Sequence, residues 1–174
     1  MSPVNEPSEM KSVEQMATTT RSIFERLQGT WLLSRYEIST TGLHISYPFS
    51  IGPQGVLMYA PDGYMSVQLM SPGRPLFHSD GMFDGTADEY REAGKGYLAY
   101  SGKYEVDEEA ETVTHHLFVS LFANWIGSDQ KRKVSFSGDS LKLQTLNGAT
   151  MAWLTWEKAS SIYTREIGAP MNLK

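Results

Sequence analysis

The feature that most constrains this chain is a run of short segments with apolar residues at alternate positions, joined mostly by connections too short to hold a helix. Eight such segments follow one another, roughly 30–39, 55–60, 64–70, 97–106, 112–121, 129–137, 140–147 and 151–158, most of them rich in Val, Leu, Tyr, Trp, Phe and Thr. Pro61-Asp62-Gly63 reads as a hairpin turn, Glu108 to Glu111 as a four-residue loop, and Ser137-Gly138-Asp139 as a third hairpin. Parallel strands need crossovers of a dozen or more residues, so this spacing excludes a parallel plan and predicts an antiparallel meander. At about eight strands a meander closes on itself, which removes its unpaired edges and leaves an interior either packed solid or wide enough for one small ligand. The predicted fold class is therefore all-β, an eight-stranded antiparallel up-and-down barrel, with a β-sandwich as the alternative.

Two stretches depart from this period. Ile23, Phe24 and Leu27 fall at helical spacing and Gly29 can end the turn, predicting a short N-terminal helix. The long connection 71–96 carries Pro72, Gly73, Pro75, Gly81 and Gly85, then Thr86 to Glu89 as a helix cap with acidic residues in its first turn. That predicts a helical, lid-like insertion. Residues 1–20 lack periodicity and are expected to form a mobile arm, 21–160 the barrel, and 161–174 a C-terminal tail.

Composition narrows the function. A chain of 174 residues with net charge −5 repels polyanions, so nucleic acid is not an expected partner. There is no cysteine, which excludes disulfides, thiol catalysis and thiolate metal sites. The opening residues have neither the basic-then-apolar layout of an export signal nor a membrane span, so the expected setting is cytoplasmic, without membrane contact. A closed barrel offers few exposed edges, so monomer or homodimer is expected.

Alternation sorts the faces. In 129–137, Lys131, Lys133, Ser135 and Ser137 take the wet side, which turns Arg132 inward with Gln130, Val134 and Phe136. An inward guanidinium is costly unless an oxygen meets it. In 97–106, Leu98, Tyr100, Gly102, Tyr104 and Val106 share the dry side. A loop of Glu108 to Glu111 pairs Tyr104 with His115, placing His115 inside with Val113, Leu117, Val119 and Leu121, while a one-residue bulge would put His116 there instead. A two-residue turn at Asp62-Gly63 pairs Tyr59 with Ser66 and Leu57 with Gln68, and leaves open which face of that hairpin is interior.

The four histidines form no metal-ligand motif, there is no nucleophile elbow, and Gly94-Lys95-Gly96 lacks the setting of a dinucleotide site. No metal and no cofactor are expected. What remains is a set of convergent polar groups in an apolar interior, the usual signature of a small-molecule site, against the plainer reading that they satisfy one another in a filled barrel.

Several motifs carry a resemblance. Gly29-Thr30-Trp31 after a short helix is similar to the Gly-x-Trp motif of lipocalins, whose Trp closes one end of the barrel. With it stand Tyr59-Ala-Pro-Asp-Gly-Tyr-Met-Ser66, Gln68-Leu-Met-Ser-Pro-Gly-Arg-Pro75, Gly102-Lys-Tyr-Glu-Val-Asp107, Thr112-Val-Thr-His-His116, Leu121-Phe-Ala-Asn-Trp125 and Gly127-Ser-Asp-Gln130. Over about residues 27–158 the chain resembles the lipocalin-like domain family of bacteria and fungi. The resemblance implies a cytoplasmic barrel around a cavity, and fungal relatives beside natural-product pathways look like cofactor-free isomerases or cyclases. Phe118, where a polar residue is common, and Lys158, where lipocalins often stack an Arg on the motif Trp, depart from the pattern.

The function expected from this reading is binding of a hydrophobic, oxygenated small molecule in the barrel, with cofactor-independent isomerisation or cyclisation in secondary metabolism. Arg132 would meet developing negative charge, His115 would move a proton near neutral pH, and Tyr100 would donate a hydrogen bond. Trp31, Tyr59, Ser66, Gln68, Tyr104, His116, Phe136 and Trp153 are the expected substrate contacts. The alternative is a carrier or sensor that binds such a molecule and leaves it unchanged.

Overall fold

A ladder between the first and last strands closes the sheet. In the computed structural model, which describes residues 21–40, 44–146 and 150–159, the strands are β1 (Gly29–Ser39), β2 (Ile45–Ser46), β3 (Gln54–Tyr59), β4 (Tyr64–Met70), β5 (Tyr97–Asp107), β6 (Thr112–Ser120), β7 (Asp129–Ser137), β8 (Ser140–Thr145) and β9 (Met151–Lys158). The expected arm over 1–20 and tail over 161–174 lie outside the described residues. Neighbours run β2-β1-β3-β4-β5-β6-β7-β8-β9, and β1 pairs again with β9, from Trp31 opposite Lys158 to Ser39 opposite Met151. The result is a closed antiparallel barrel of eight strands with β2 added on the edge of β1.

The connections divide between the two ends. Tight turns at 60–63, 108–111 and 138–139 lie at one end beside helix α1 (Ile23–Leu27). The longer connections 71–96 and 121–128 lie at the other, with the described parts of those after β1 and β8. The tight end is capped. Leu27 and Trp31 are buried, the Trp31 indole Nε1 donates to the Leu27 carbonyl at 2.7 Å, and Lys158 Nζ sits 4.1 Å above the Trp31 ring while donating to the carbonyls of Arg26 and Gln28. Lys158 thus serves as the cation on the motif Trp. The start of α1 is tied across the barrel by Glu108, whose carboxylate accepts the Ile23 and Phe24 amides at 2.8 and 3.0 Å.

At the other end, helix α2 (Ala87–Lys95) starts at Thr86, whose hydroxyl and Glu89 form the expected capping box. Its insertion packs on β5. No described helix is long and apolar enough to cross a membrane.

Three registers deserve comparison with the sequence. The β5–β6 hairpin pairs Tyr104 with His115 and Val106 with Val113, as the four-residue loop requires. The β3–β4 hairpin differs by one residue: Tyr59 faces Met65 and Leu57 faces Val67, because the turn is a three-residue loop, Pro61-Asp62-Gly63, with Gly63 at φ 84° and the Gly63 amide donating to the Ala60 carbonyl at 3.2 Å. The interior side of this hairpin therefore combines Leu57 and Tyr59 with Met65, Val67 and Leu69, all buried, a mixture of the two faces that a two-residue turn implies. Finally, β6 does carry a bulge, at Phe118, between the Ser101–Val119 and Gly102–Leu117 pairs. It follows His115 rather than preceding it, so His115 stays inside, whereas Val119 and Leu121, expected inside, are 57% and 51% exposed.

A second bulge at Ser34, between the Leu33–Trp156 and Arg35–Thr155 pairs, changes which residues of β1 point inward. Trp31 and Leu33 are buried before it, and Tyr36 turns into the barrel after it.

Gly102 lies opposite the β6 bulge, where a Cβ would overlap the His116 carbonyl and crowd Leu117. Gly102→Ala is expected to cost roughly 1–3 kcal/mol, in the range of overpacked interiors, read as a lower urea midpoint with an unchanged slope. An unaltered midpoint would refute the close approach.

Candidate functional site

The two bulges and the inward faces converge on a cavity below the open end. Apolar walls come from β3 and β4 (Leu57, Val67, Leu69), β5 (Leu98), and β8 and β9 (Leu143, Ala152, Leu154). Tyr36, Tyr100, His115, Arg132, Thr145 and Trp156 bring polar atoms, and Trp125 enters from the β6–β7 connection. The enclosed cavity measures about 40 Å³, and the whole recess, mouth included, holds about 460 Å³ of space not filled by atoms. A larger open groove, with about 840 Å³ of space not filled by atoms, lies outside the capped end, among Arg21, Glu25, Arg26, Asp139 and Lys158. It mixes both charge signs and has none of the interior set, so the inner cavity is the candidate site.

His115 is the most constrained polar group. It is 1% exposed, and its Nε2 lies 2.7 Å from the Tyr59 hydroxyl. That hydroxyl has no other partner among the described residues, so it must donate to Nε2 or leave its own proton buried and unmet. The imidazole proton then sits on Nδ1, which is buried without a partner among the described residues. Burial first, then the nearby charge of Arg132, lowers the His115 pKa to about 3. His115 is neutral at physiological pH, so it does not titrate near neutrality as expected from the sequence.

Arg132 is half-buried, and among the described residues its contacts are neutral: Nη1 donates to the Lys131 carbonyl at 3.0 Å and Nη2 to Gln130 Oε1 at 3.1 Å, with the Tyr100 hydroxyl also in hydrogen-bonding reach. Tyr36, Tyr59 and Tyr100 are all pushed up by burial, with Arg132 opposing the shift in each case. They hold their protons. Trp156 is 1% exposed and its Nε1 lacks a partner among the described residues.

The structure brings together Arg132, His115 and Tyr100, with Tyr59 directly behind His115. It separates the other expected contacts. Trp31, Tyr104 and Phe136 belong to the capped end: Tyr104 donates to the Ala60 carbonyl at 2.9 Å and stacks on Phe24, while Phe136 packs on Trp31 with Arg26 over its face. Ser66, Gln68, His116 and Trp153 are on the outer face, which corrects their expected inward placement. For Ser66 and Gln68 the cause is the three-residue turn, and their partners there are Ser101 and Tyr97. His116 faces out because the bulge comes after it, and Asp129 at 2.7 Å raises its pKa. Trp153 lies opposite Glu37, on the side away from Ala152, Leu154 and Trp156.

Trp156 was missed although alternation in 151–158 places it with Ala152 and Leu154. Tyr36 was hidden by the Ser34 bulge, and Trp125 sits in a 3₁₀ turn with no period to read. Among the described residues no cluster of His, Asp and Glu is arranged to hold a metal ion.

Comparison with known proteins adds four findings. The model of a family described as a lipocalin-like domain matches residues 28–164. A protein of Aspergillus oryzae named 4'-hydroxy-3'-methoxypropiophenone carrier protein is 37% identical over 106 residues, covering 54% of this chain and 96% of that protein. Among solved structures, a lipocalin-like protein from Bacteroides uniformis superposes with a TM-score of 0.42 at 15% identity, over 76% of this chain and 98% of that one. A mutant of the fluorescent protein UnaG gives a TM-score of 0.38 at 13% identity, over 78% and 98% of the two chains.

His115 also sets a pH dependence. With a folded pKa near 3 against an ordinary 6.5, the unfolded chain binds the proton more readily, so this contribution is complete above about pH 6.5 and is lost as pH falls toward 3. The expected slope from this residue approaches about 1.4 kcal/mol per pH unit inside that window. His115→Gln should flatten it in urea titrations at several pH values. An equal slope in the variant would show that His115 is not held neutral.

Proposed function

The chain belongs to the lipocalin-like domain family, and from that membership and the make-up of its cavity we propose that it binds a small oxygenated aromatic molecule inside the barrel as a carrier. The observation that carries this reading is the pair of buried N–H groups, His115 Nδ1 and Trp156 Nε1, that line a largely apolar cavity and have no acceptors among the described residues. Leaving a buried donor unmet costs about 1–3 kcal/mol, so an entering ketone, ether or phenol oxygen regains that energy as well as burying its ring. The ligand class in the relative's name, a hydroxylated and methoxylated aryl ketone, has this chemistry.

A ligand of that kind needs more than 40 Å³, so its entry requires a wall to move. Trp125 is such a wall. It is half-buried, touches Tyr100 and Phe122 edge-on at ring distances of 5.8 and 5.6 Å, and is flanked by exposed Leu121, Phe122 and Ile126. Outward rotation of this indole would join the cavity to the mouth.

A second reading, cofactor-free isomerisation or cyclisation, draws on the pairing of Arg132 with Tyr100, since a cation and a hydroxyl together stabilise an enolate oxygen. A neutral His115 with a low pKa is a weak proton acceptor, which favours the carrier.

Titration with 4'-hydroxy-3'-methoxypropiophenone should change tryptophan fluorescence saturably, and Arg132→Gln should weaken binding roughly 10- to 100-fold, as for loss of a charged hydrogen bond. Chromatography of long incubations with aryl ketone and polyketide-like probes should return them unchanged. A new product above the protein-free background would replace the carrier by the enzyme, and a flat fluorescence titration would remove this ligand class.

A further inference from the structure

The polar inventory of the cavity is one-sided. Among the described residues, its lining contains the Arg132 guanidinium and no Asp or Glu. Among the described residues no carboxylate lies within ion-pairing distance of that guanidinium. His115 Nδ1 and Trp156 Nε1 add two further N–H groups without acceptors. Two of the cavity's acceptors are engaged, Thr145 Oγ1 by the Ala152 amide at 2.8 Å and His115 Nε2 by the Tyr59 hydroxyl at 2.7 Å, which leaves the Tyr36 and Tyr100 hydroxyls, each able to donate as well as accept.

The remaining titratable groups facing this space leave its charge positive. Tyr36 on β1 and Tyr100 on β5 keep their protons through burial, Tyr59 on β3 keeps its proton behind His115, and His115 on β6 is neutral. β4, β8 and β9 contribute no titratable side chain to the lining, and neither does the connection that carries Trp125. In a chain with net charge −5, the described residues thus give the interior a positive charge with no carboxylate beside it.

We propose that the cavity takes its aromatic ligand as an oxyanion, the negative oxygen received by Arg132 with the N–H groups of His115 and Trp156. This rests on the small-molecule reading above and specifies the ligand's charge. A neutral phenol would bring a hydroxyl proton into a site rich in donors, whereas the phenolate brings only lone pairs and a charge opposite to the guanidinium. In a partly dry recess that attraction is stronger than in water, so binding draws the phenol proton off into solvent. For a hydroxyaryl ketone, the ring passes the negative charge on to the carbonyl, which gives the donors two oxygens to share.

Three probes test it: the hydroxyaryl ketone, its methyl ether, and a methoxylated benzoate whose charge lies on a carboxylate. Each is titrated against the full chain at a pH where the free phenol is protonated. The expected result is a red-shifted phenolate absorption that appears only on binding, with the methyl ether at least about tenfold weaker, the loss equivalent to one pKa unit. Arg132→Gln should abolish the shifted band and Arg132→Lys should keep it. Tighter binding of the benzoate than of the methyl ether also supports the oxyanion, with a carboxylate as its source. A bound ketone that keeps the absorption of the neutral phenol, or a methyl ether that binds equally well, overturns the oxyanion while leaving small-molecule binding standing. Binding of none of the three overturns both.

Discussion

The pairing of β1 with β9 is the constraint on which everything else depends. Without it the meander is an open sheet with two bare edges and no interior. With it, eight strands enclose a space whose width is fixed by strand number and tilt, and every inward side chain must either fill that space or line it. The ladder runs from the capped end to the mouth, and the single irregularity in it, at Ser34, is what delivers Tyr36 to the interior. The same device recurs at Phe118 on β6, so two extra residues inserted into the ladder shape the upper half of the lumen.

The lower half follows a simpler logic. Leu27, Trp31, Tyr59 and Tyr104 are all buried there, and Glu108 and Lys158 tie α1 to the barrel from outside. This end is packed to the point that no ligand space remains. The polar groups that matter sit above it, and their protonation states follow from burial first, with Arg132 adding to it at His115 and opposing it at the tyrosines. A neutral imidazole, three protonated tyrosines and a guanidinium are one electrostatic unit: adding a second positive charge at His115 would be opposed by the first.

Much of this was legible in the sequence, for a definite reason. Wherever strands alternate without interruption, as in β5 and β7, the inward placement of Tyr100, Tyr104 and Arg132 follows from residue parity alone, and a loop of known length carries it across to His115. The errors cluster where parity breaks. Ser66 and Gln68 were misplaced by one extra residue in a turn, and Val119 and Leu121 by one extra residue in a strand. Trp153 and Trp156 look equivalent by composition, and only their position relative to Ala152 and Leu154 separates them. The charge state of His115 was beyond composition altogether, since it depends on how completely the chain excludes water from one ring.

The allocation of long connections to one end and tight turns to the other has a consequence for how such a molecule changes over time. The rim segments share few contacts with the base, so residues can be inserted, deleted or exchanged around the opening while the floor keeps its register. Natural variation can thus remodel admission independently of anchorage, and a laboratory library confined to the rim would inherit a stable vessel for free.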